Sequence, residues 1–375
     1  MRTRLAWHDL LHRRTRTLAA LLGVTFAITL LFMQAGFYQA CRDSAIRIHR
    51  LLEYDLVLTS PSYTFIVASG QIPRERLPQA EAVDGVREAI PLRVGGRLWR
   101  NPQTGNSSEV LILGAVPADR PFSLETLDPQ LPRLGAPDRV LFDRGAHPSL
   151  GDNPVGTESE MLGRRLQVAG EFEWGAGFIG DGLAITSDET FGRIFGLGPH
   201  DVEIGLLLLD PEADREAVAR TLRSTLPSDV RVWTRGGIEA RDRRFFLQER
   251  PIGLMFTSGV VLAVLVGGVI LFQILASEVT ARRAELATLQ ALGYSRRDVY
   301  GVVLEQGLLY TLFAFVPAAI CSAGMFLVTG HIARLPMRLG PTLLALVFGL
   351  SLLMCVLGSL FASQRVRSAD PADLF

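Results

Sequence analysis

LAALLGVTFAITLLFMQAGF, residues 18–37, is a run of twenty residues without a single charge. A helix rises about 1.5 Å per residue, so the run spans roughly the ~30 Å hydrocarbon core of a bilayer. Three more such runs follow after a long stretch of mixed polarity: Ile252–Ala276, Val302–Val328 and Thr342–Ala362, with Glu305 their one charge. The lopsided spacing predicts an α-helical membrane protein with four transmembrane helices. One water-soluble domain hangs between the first and second.

Composition agrees. The chain has 375 residues, 48% of them hydrophobic, and a formal net charge of zero, so nothing points to nucleic acid as a partner. Every basic residue is Arg; the chain has no Lys. A Walker A loop needs Lys after its glycines, so ATP could drive this protein only through a separate polypeptide. Of the three cysteines, Cys41 follows the first apolar run and Cys321 and Cys355 lie in the last two, which leaves the large domain without a disulfide framework.

Arginine sets the orientation. Arg2, Arg4, Arg13, Arg14, Arg16, Arg282, Arg283, Arg296, Arg297, Arg365 and Arg367 fall on one side, against Arg334 and Arg338 on the other. Both termini and the 277–301 loop are therefore expected in the cytoplasm, with the large domain exported to the periplasm of an inner (plasma) membrane. The expected layout is an amphipathic cytoplasmic segment 1–17, a retained first span 18–38 and a periplasmic domain 39–250 with helical stalks at both ends. Then come a second span 252–276, a cytoplasmic loop 277–301, a third span 302–328, a short periplasmic loop 329–341, a fourth span 342–362 and a cytoplasmic tail 363–375.

Within the exported domain, Asp55–Thr59, Val86–Ile90, Glu109–Val116, Arg165–Phe172, Gly182–Thr186, Val202–Leu209 and Val230–Thr234 read as strands. Arg74–Val83, Ser187–Phe195 and Asp214–Leu226 read as helices, the second capped by Ser187 and closed near Gly196. Pro117–Gly156, rich in Pro and Gly, reads mostly as loop. Strand–helix–strand order at both ends predicts an α+β fold: a ferredoxin-like layer with an inserted β-rich subdomain. Gln39–Glu53 and Ile238–Arg250 are the stalks.

Catalytic patterns are weak. Gly175-Ala176-Gly177-Phe178-Ile179-Gly180 matches G-x-G-x-x-G, but no helix follows it, so a turn between strands is expected. His8 and His12 stand at i,i+4 on an expected interfacial helix with Trp7, Leu10 and Leu11; no third ligand is nearby, so contact with membrane headgroups is expected in place of a metal. His147, Ser149 and Asp152 lie among Pro148, Gly151 and Pro154 in a loop, not in a positioned triad. No catalytic, cofactor or metal site is expected in the chain.

The 277–301 loop is the most informative polar segment. Arg282–Leu292 reads as a short helix with Leu286, Leu289 and Gly293 on one face and Ala287 and Ala291 beside it. Gly293 closes it, and Ser295 with Asp298 starts the next helix. A Leu/Ala ridge rimmed by Arg282, Arg283, Glu285, Arg296 and Arg297 suits a hydrophobic groove on a partner; it equally suits an interfacial helix lying on lipid. In the spans, Glu305 should face the bundle or the headgroups, Pro317 should kink its helix, and Gly267 and Gly268 permit close helix approach, as a dimer seam needs.

RRAELATLQALGYSRRDV, residues 282–299, resembles the signature of FtsX/MacB-type ABC transporter permeases, in which E-[IL]-x-x-L-x-A-[LM]-G precedes a basic doublet and Asp. The start, residues 5–38, and the end, RSADPADLF at 367–375, look most like the DevC branch. The resemblance implies a permease subunit that homodimerises through its membrane helices and works with a separate ABC ATPase subunit, which holds the ATP and Mg. It implies that Glu285–Gly293, Leu292 included, is the coupling helix seated in that ATPase. It also implies a periplasmic adaptor and a TolC-like outer-membrane channel. Two rival readings are an FtsX-like regulator of periplasmic cell-wall hydrolases and a membrane-anchored sensor without an ATPase.

Overall fold

The computed structural model describes residues 14–281, 296–335 and 337–367. The chain falls into two compact units: Met1–Gln39 with Leu254–Gly330 and Met337–Phe375, and Ala40–Gly253 with His331–Pro336.

Four helices build the described part of the first unit: α1 (Arg14–Ser44, whose residues from Ala40 belong to the second unit), and three others introduced below by their order in the chain. The stretches Thr17–Ser44, Pro251–Ala281, Tyr300–Ile332 and Pro341–Ala362 are long and apolar enough to cross a membrane. Val24, Ala27, Ile28, Leu31 and Phe32 of α1 form a core with Leu271, Leu275, Tyr310, Ala314, Val347, Met354 and Cys355 from the other three. Three buried aliphatic hydroxyls of these helices close on their own backbone. Thr311, Ser322 and Ser351 each donate to the carbonyl four residues back, at 2.7–2.9 Å, which satisfies them without a polar path between helices.

The second unit holds a nine-stranded sheet. In chain order its elements are α2 (Arg47–Leu51), β1 (Leu56–Thr59), β2 (Ile72–Pro73), α3 (Arg76–Glu81), β3 (Val86–Arg100), β4 (Ser107–Ala115), β5 (Arg139–Asp143), β6 (Glu158–Met161), β7 (Arg164–Phe172), β8 (Leu183–Ser187), α4 (Asp188–Phe195), β9 (Asp201–Val202), β10 (Ile204–Leu209), α5 (Arg215–Thr225), β11 (Arg231–Thr234) and α6 (Arg235–Arg244). Then follow α7 (Pro251–Ala281), α8 (Arg296–Ala333) and α9 (Pro341–Arg367) of the first unit.

The sheet order is β11-β1-β10-β3-β4-β8-β5-β7-β6. Its first four strands are antiparallel throughout. With α3 between β1 and β3, and α5 between β10 and β11, they make the split βαβ order of a ferredoxin-like layer. Leu56, Leu58 and Leu207 of the strands pack with Leu77, Ala80, Val218 and Leu222 of the two helices. The insert lies between β3 and β10, as the strand–helix–strand reading implied.

β3 is what joins layer to insert. It is far longer than the expected Val86–Ile90: Val86–Leu92 pairs with β10, and Leu92–Arg100 pairs with β4. Gly95 and Gly114 explain how its middle is covered. A Cβ at either would stand 2.4–2.6 Å from Phe195 or Phe191, whose rings stack at 4.1 Å on α4. The insert core gathers Trp99, Ile112, Phe142, Leu166, Val168 and Phe191.

Pro117–Gly156 is mostly loop and turn, as expected, but not entirely. It carries β5 and two 3-10 turns, Leu131–Gly135 and Pro148–Leu150. The five residues RVLFD are short enough to be hidden by the prolines and glycines around them, yet β5 is buried because β8 and β7 flank it. Ser187 does cap α4, accepting from Thr190 N–H, and Gly196 ends it with φ +67°. The stalks are less regular than expected. The first breaks after Ser44 and resumes at Arg47, and α6 continues into a π-helical turn, Phe245–Glu249.

Candidate functional site

The loop expected to couple to an ATPase joins α7 to α8. Its residues Arg282, Arg283, Glu285, Leu286, Ala287, Leu289, Ala291, Leu292 and Gly293 lie outside the described residues, and Arg296 and Arg297 form the start of α8. The interfacial segment with His8 and His12, and most of the RSADPADLF tail, also lie outside them.

What the structure does give is the frame that holds this loop. Glu278, about a turn before the end of α7, accepts from the Tyr310 hydroxyl at 2.9 Å and from the Gln306 amide. Gln306 and Tyr310 are one turn apart on α8 and buried. One carboxylate thus ties together the two helices that enter and leave the loop. Glu305, the residue singled out from the sequence, is only half-buried. The usable signal was the polar pair Gln306/Tyr310 at i,i+4 spacing inside an otherwise apolar run. α9 locks into the same frame: a Cβ on Gly307 would lie 2.8 Å from Ser359 Oγ and 3.0 Å from Cys355 Sγ. Gly267 packs against Met354 within the same chain, whereas Gly268 has open space on its Cβ side. Gly267 therefore serves the contact between α7 and α9.

The exported-domain candidates resolve into structural roles. The glycine-rich run forms a turn between β7 and β8, with Gly177 bridging Gly180. The first N–H groups of the run are already taken, Gly175 N by a carboxylate and Ala176 N and Gly177 N by backbone carbonyls. Asp143 Oδ1 accepts from Trp174 N at 2.8 Å and Gly145 N at 2.9 Å, and Oδ2 accepts from Gly175 N at 2.8 Å. Burial pushes the Asp143 carboxyl above its usual value, and these three N–H donors oppose the shift. The turn also grips the first stalk: the Arg47 guanidinium lies 4.6 Å over the Trp174 ring and donates to the carbonyls of Trp174 and Ala176.

His147 caps the Pro148–Leu150 turn, its Nδ1 accepting from Ser149 N at 3.2 Å. Ser149 Oγ sits 3.0 Å from that same nitrogen and 3.4 Å from Asp181 Oδ2. In a hydrolytic triad the carboxylate orients the imidazole; here it meets the hydroxyl, and the acid is Asp181 and not Asp152. The arrangement is a loop cap.

The stalks carry a network that sequence reading missed. Asp242 on α6 is wholly buried. It accepts from His49 Nε2 at 2.9 Å, from the Tyr63 hydroxyl at 2.9 Å and from Ile66 N at 3.2 Å. Tyr54 Oη is 2.7 Å from His49 Nδ1, and Arg235 Nη2 donates to the His49 carbonyl at 2.9 Å. His49 and Asp242 are 193 positions apart, so no local pattern pairs them.

Residues 257–371 match the profile of the FtsX-like permease C-terminal family. No curated protein sequence matches the chain. Among solved structures, the periplasmic region of MacB from Actinobacillus actinomycetemcomitans aligns at 10% identity and a TM-score of 0.37, over 52% of this chain and 94% of that one. The extracellular domain of the noncanonic ABC-type transporter YknZ from Gram-positive bacteria aligns at 13% identity and a TM-score of 0.35, over 48% and 100% respectively. From Thr257 through the whole of α9, with the 277–301 loop inside the matched span, the chain is similar to the C-terminal part of FtsX-like permeases.

Proposed function

We propose that this chain is the permease subunit of an ABC transporter, most like the DevC branch, that relays ATP-driven motion instead of conducting a substrate between its helices. A separate ATPase holds ATP and Mg and seats Glu285–Gly293 in its groove. α7 and α8, tied at Glu278, carry the displacement, and the stalks pass it to the exported domain. Two copies pair through the membrane helices, and the exported domains act with a periplasmic adaptor and a TolC-like channel. Both termini face the cytoplasm.

The observation that carries this reading is the family match over residues 257–371, because it spans the whole 277–301 loop. The frame around Glu278 supports it: a loop anchored at both ends in a packed bundle can move the bundle when pushed, which a floppy connector cannot do. Capture of the full-length protein in mild detergent tests it. Mass spectrometry of co-purifying chains should find a Walker A ATPase in stoichiometric amount; a preparation with no ATPase would overturn the proposal.

A further inference from the structure

The two stalks meet at one buried polar knot. Ile48 and Leu51 on α2, with Ile238 on α6 and Phe246 just beyond it, are all buried. Apolar helix surfaces of this kind can slip past one another by a turn at modest cost, because dispersion contacts are non-directional. A buried carboxylate cannot slip. Each Asp242 oxygen already has a donor, and moving α6 along α2 would pull the carboxylate from His49 Nε2 while the charge stayed out of water. The knot is further held in place. Arg235 donates to the His49 carbonyl and lies 4.9 Å over the Tyr54 ring, and Arg241 donates to the Tyr63 carbonyl at 2.6 Å. His49 is itself fixed from its other nitrogen by Tyr54.

We infer that the His49–Asp242 pair sets the register of the two stalks, so that an axial displacement of one is passed to the other without slippage. His49 and Asp242 are positioning residues in this role. The role rests on the relay proposed above for its purpose, but the register itself is a property of this chain alone. The stalks lose α-helical regularity at Ala45–Ile46 and at Phe245–Glu249, each between the pair and the apolar run of its own stalk, and are regular where the pair sits.

The test uses the full-length chain, cysteine-free, in lipid nanodiscs without any ATPase. Spin labels at Arg50→Cys and Ala240→Cys report the stalk spacing, and labels at Arg165→Cys on β7 and Arg220→Cys on α5 report the sheet with the helix packed on it. The otherwise unaltered protein should give one narrow stalk distance. His49→Gln retains an amide donor toward Asp242 and should keep it narrow. His49→Leu combined with Asp242→Asn removes the imidazole donor and the carboxylate, fills the space and leaves an acceptor for Tyr63 and Ile66. It should broaden or split the stalk distribution while the sheet distance stays as before. A stalk distribution as narrow as that of the unaltered protein would overturn the inference. So would broadening of both pairs together, since the knot would then hold the domain and not the register. Because no ATPase is present, either result leaves the coupling proposal to be judged separately.

Discussion

Asp188 Oδ1 lies 2.7 Å from Nε of Arg93, a guanidinium whose side chain is 1% exposed, and Arg74 reaches the other oxygen at 2.9 Å. Asp188 opens α4 in the insert, while Arg74 follows β2 beside the layer, so the carboxylate joins the two parts. Burial alone would raise its pKa, but the hydrogen bonds and charges of Arg74 and Arg93 outweigh that and hold it below 3.8. Near pH 3.8 the folded protein therefore binds fewer protons here than the unfolded chain. This stability is fully present above the unfolded value and is lost as pH falls through the lowered one. Asp188→Asn should cost about 2–3 kcal/mol at neutral pH and make the acid limb of a stability–pH curve shallower. Denaturant titration of the full-length protein, followed by tryptophan fluorescence between pH 3 and 7, reads both effects. An unchanged acid limb counts against the assignment.

Glu203 should behave in the opposite sense. It is 6% exposed, and burial raises its carboxyl above 4.5, more than the Gln71 hydrogen bond and the Arg93 charge lower it. The folded state then keeps a proton that the unfolded chain has already released. Stability falls as pH rises through the window between 4.5 and the folded value, and stays at the lower level above it. Glu203→Gln keeps the volume and an acceptor for Gln71 Nε2. Its unfolding midpoint should be higher than that of the unaltered protein at pH 7 and converge with it near pH 4. A lower midpoint at pH 7 would show that the charge is needed.

How much of this could be read beforehand differs by element. Val202–Leu209, Asp214–Leu226 and Val230–Thr234 were legible because a buried run, an amphipathic helix and a further strand are local patterns, although the first is broken at Glu203, where Asp201–Val202 pairs with β2 and Ile204–Leu209 alone joins the large sheet. Their place in the sheet follows from them, and so does the ferredoxin-like order. β5 was hidden, since five residues between proline-rich turns carry too little periodicity to announce a strand. The electrostatic joints were hidden for another reason. Arg93 with Asp188, and His49 with Asp242, meet only after the sheet has formed, so their chemistry is non-local. In the membrane helices, apolar length marked the spans, but it could not show that Glu278 would find Gln306 and Tyr310.

Glu278 offers a prediction within the bundle. Removing the Tyr310 hydroxyl takes one donor from the carboxylate and leaves the Gln306 amide in place. Hydrogen bonds between membrane helices average about 0.6 kcal/mol and reach about 1.7, so Tyr310→Phe should lower stability by roughly 1 kcal/mol. Glu278→Ala should cost more, because it also strands buried Gln306. Thermal unfolding in a fixed detergent ranks the two. Equal losses would mean that Gln306 finds another partner.

The loop itself gives the sharpest prediction about function. Leu286 and Leu289 lie one turn apart on the expected ridge of the 282–292 helix. Placing Asp at both buries two carboxylates in any apolar groove that receives the ridge, at a cost of several kcal/mol, while a water-facing loop would tolerate them. Leu286→Asp/Leu289→Asp should therefore leave membrane insertion and the Glu278 frame intact. It should also reduce ATPase association by more than a hundredfold, since each 1.4 kcal/mol is a factor of ten. Insertion is read by carbonate extraction, and association by co-purification at fixed detergent and salt. Substitution of Arg282 and Arg283 by Gln removes only rim charges and should weaken association mildly and in a salt-dependent way. Full retention of the ATPase by the double Asp variant would place the docking surface elsewhere in the chain.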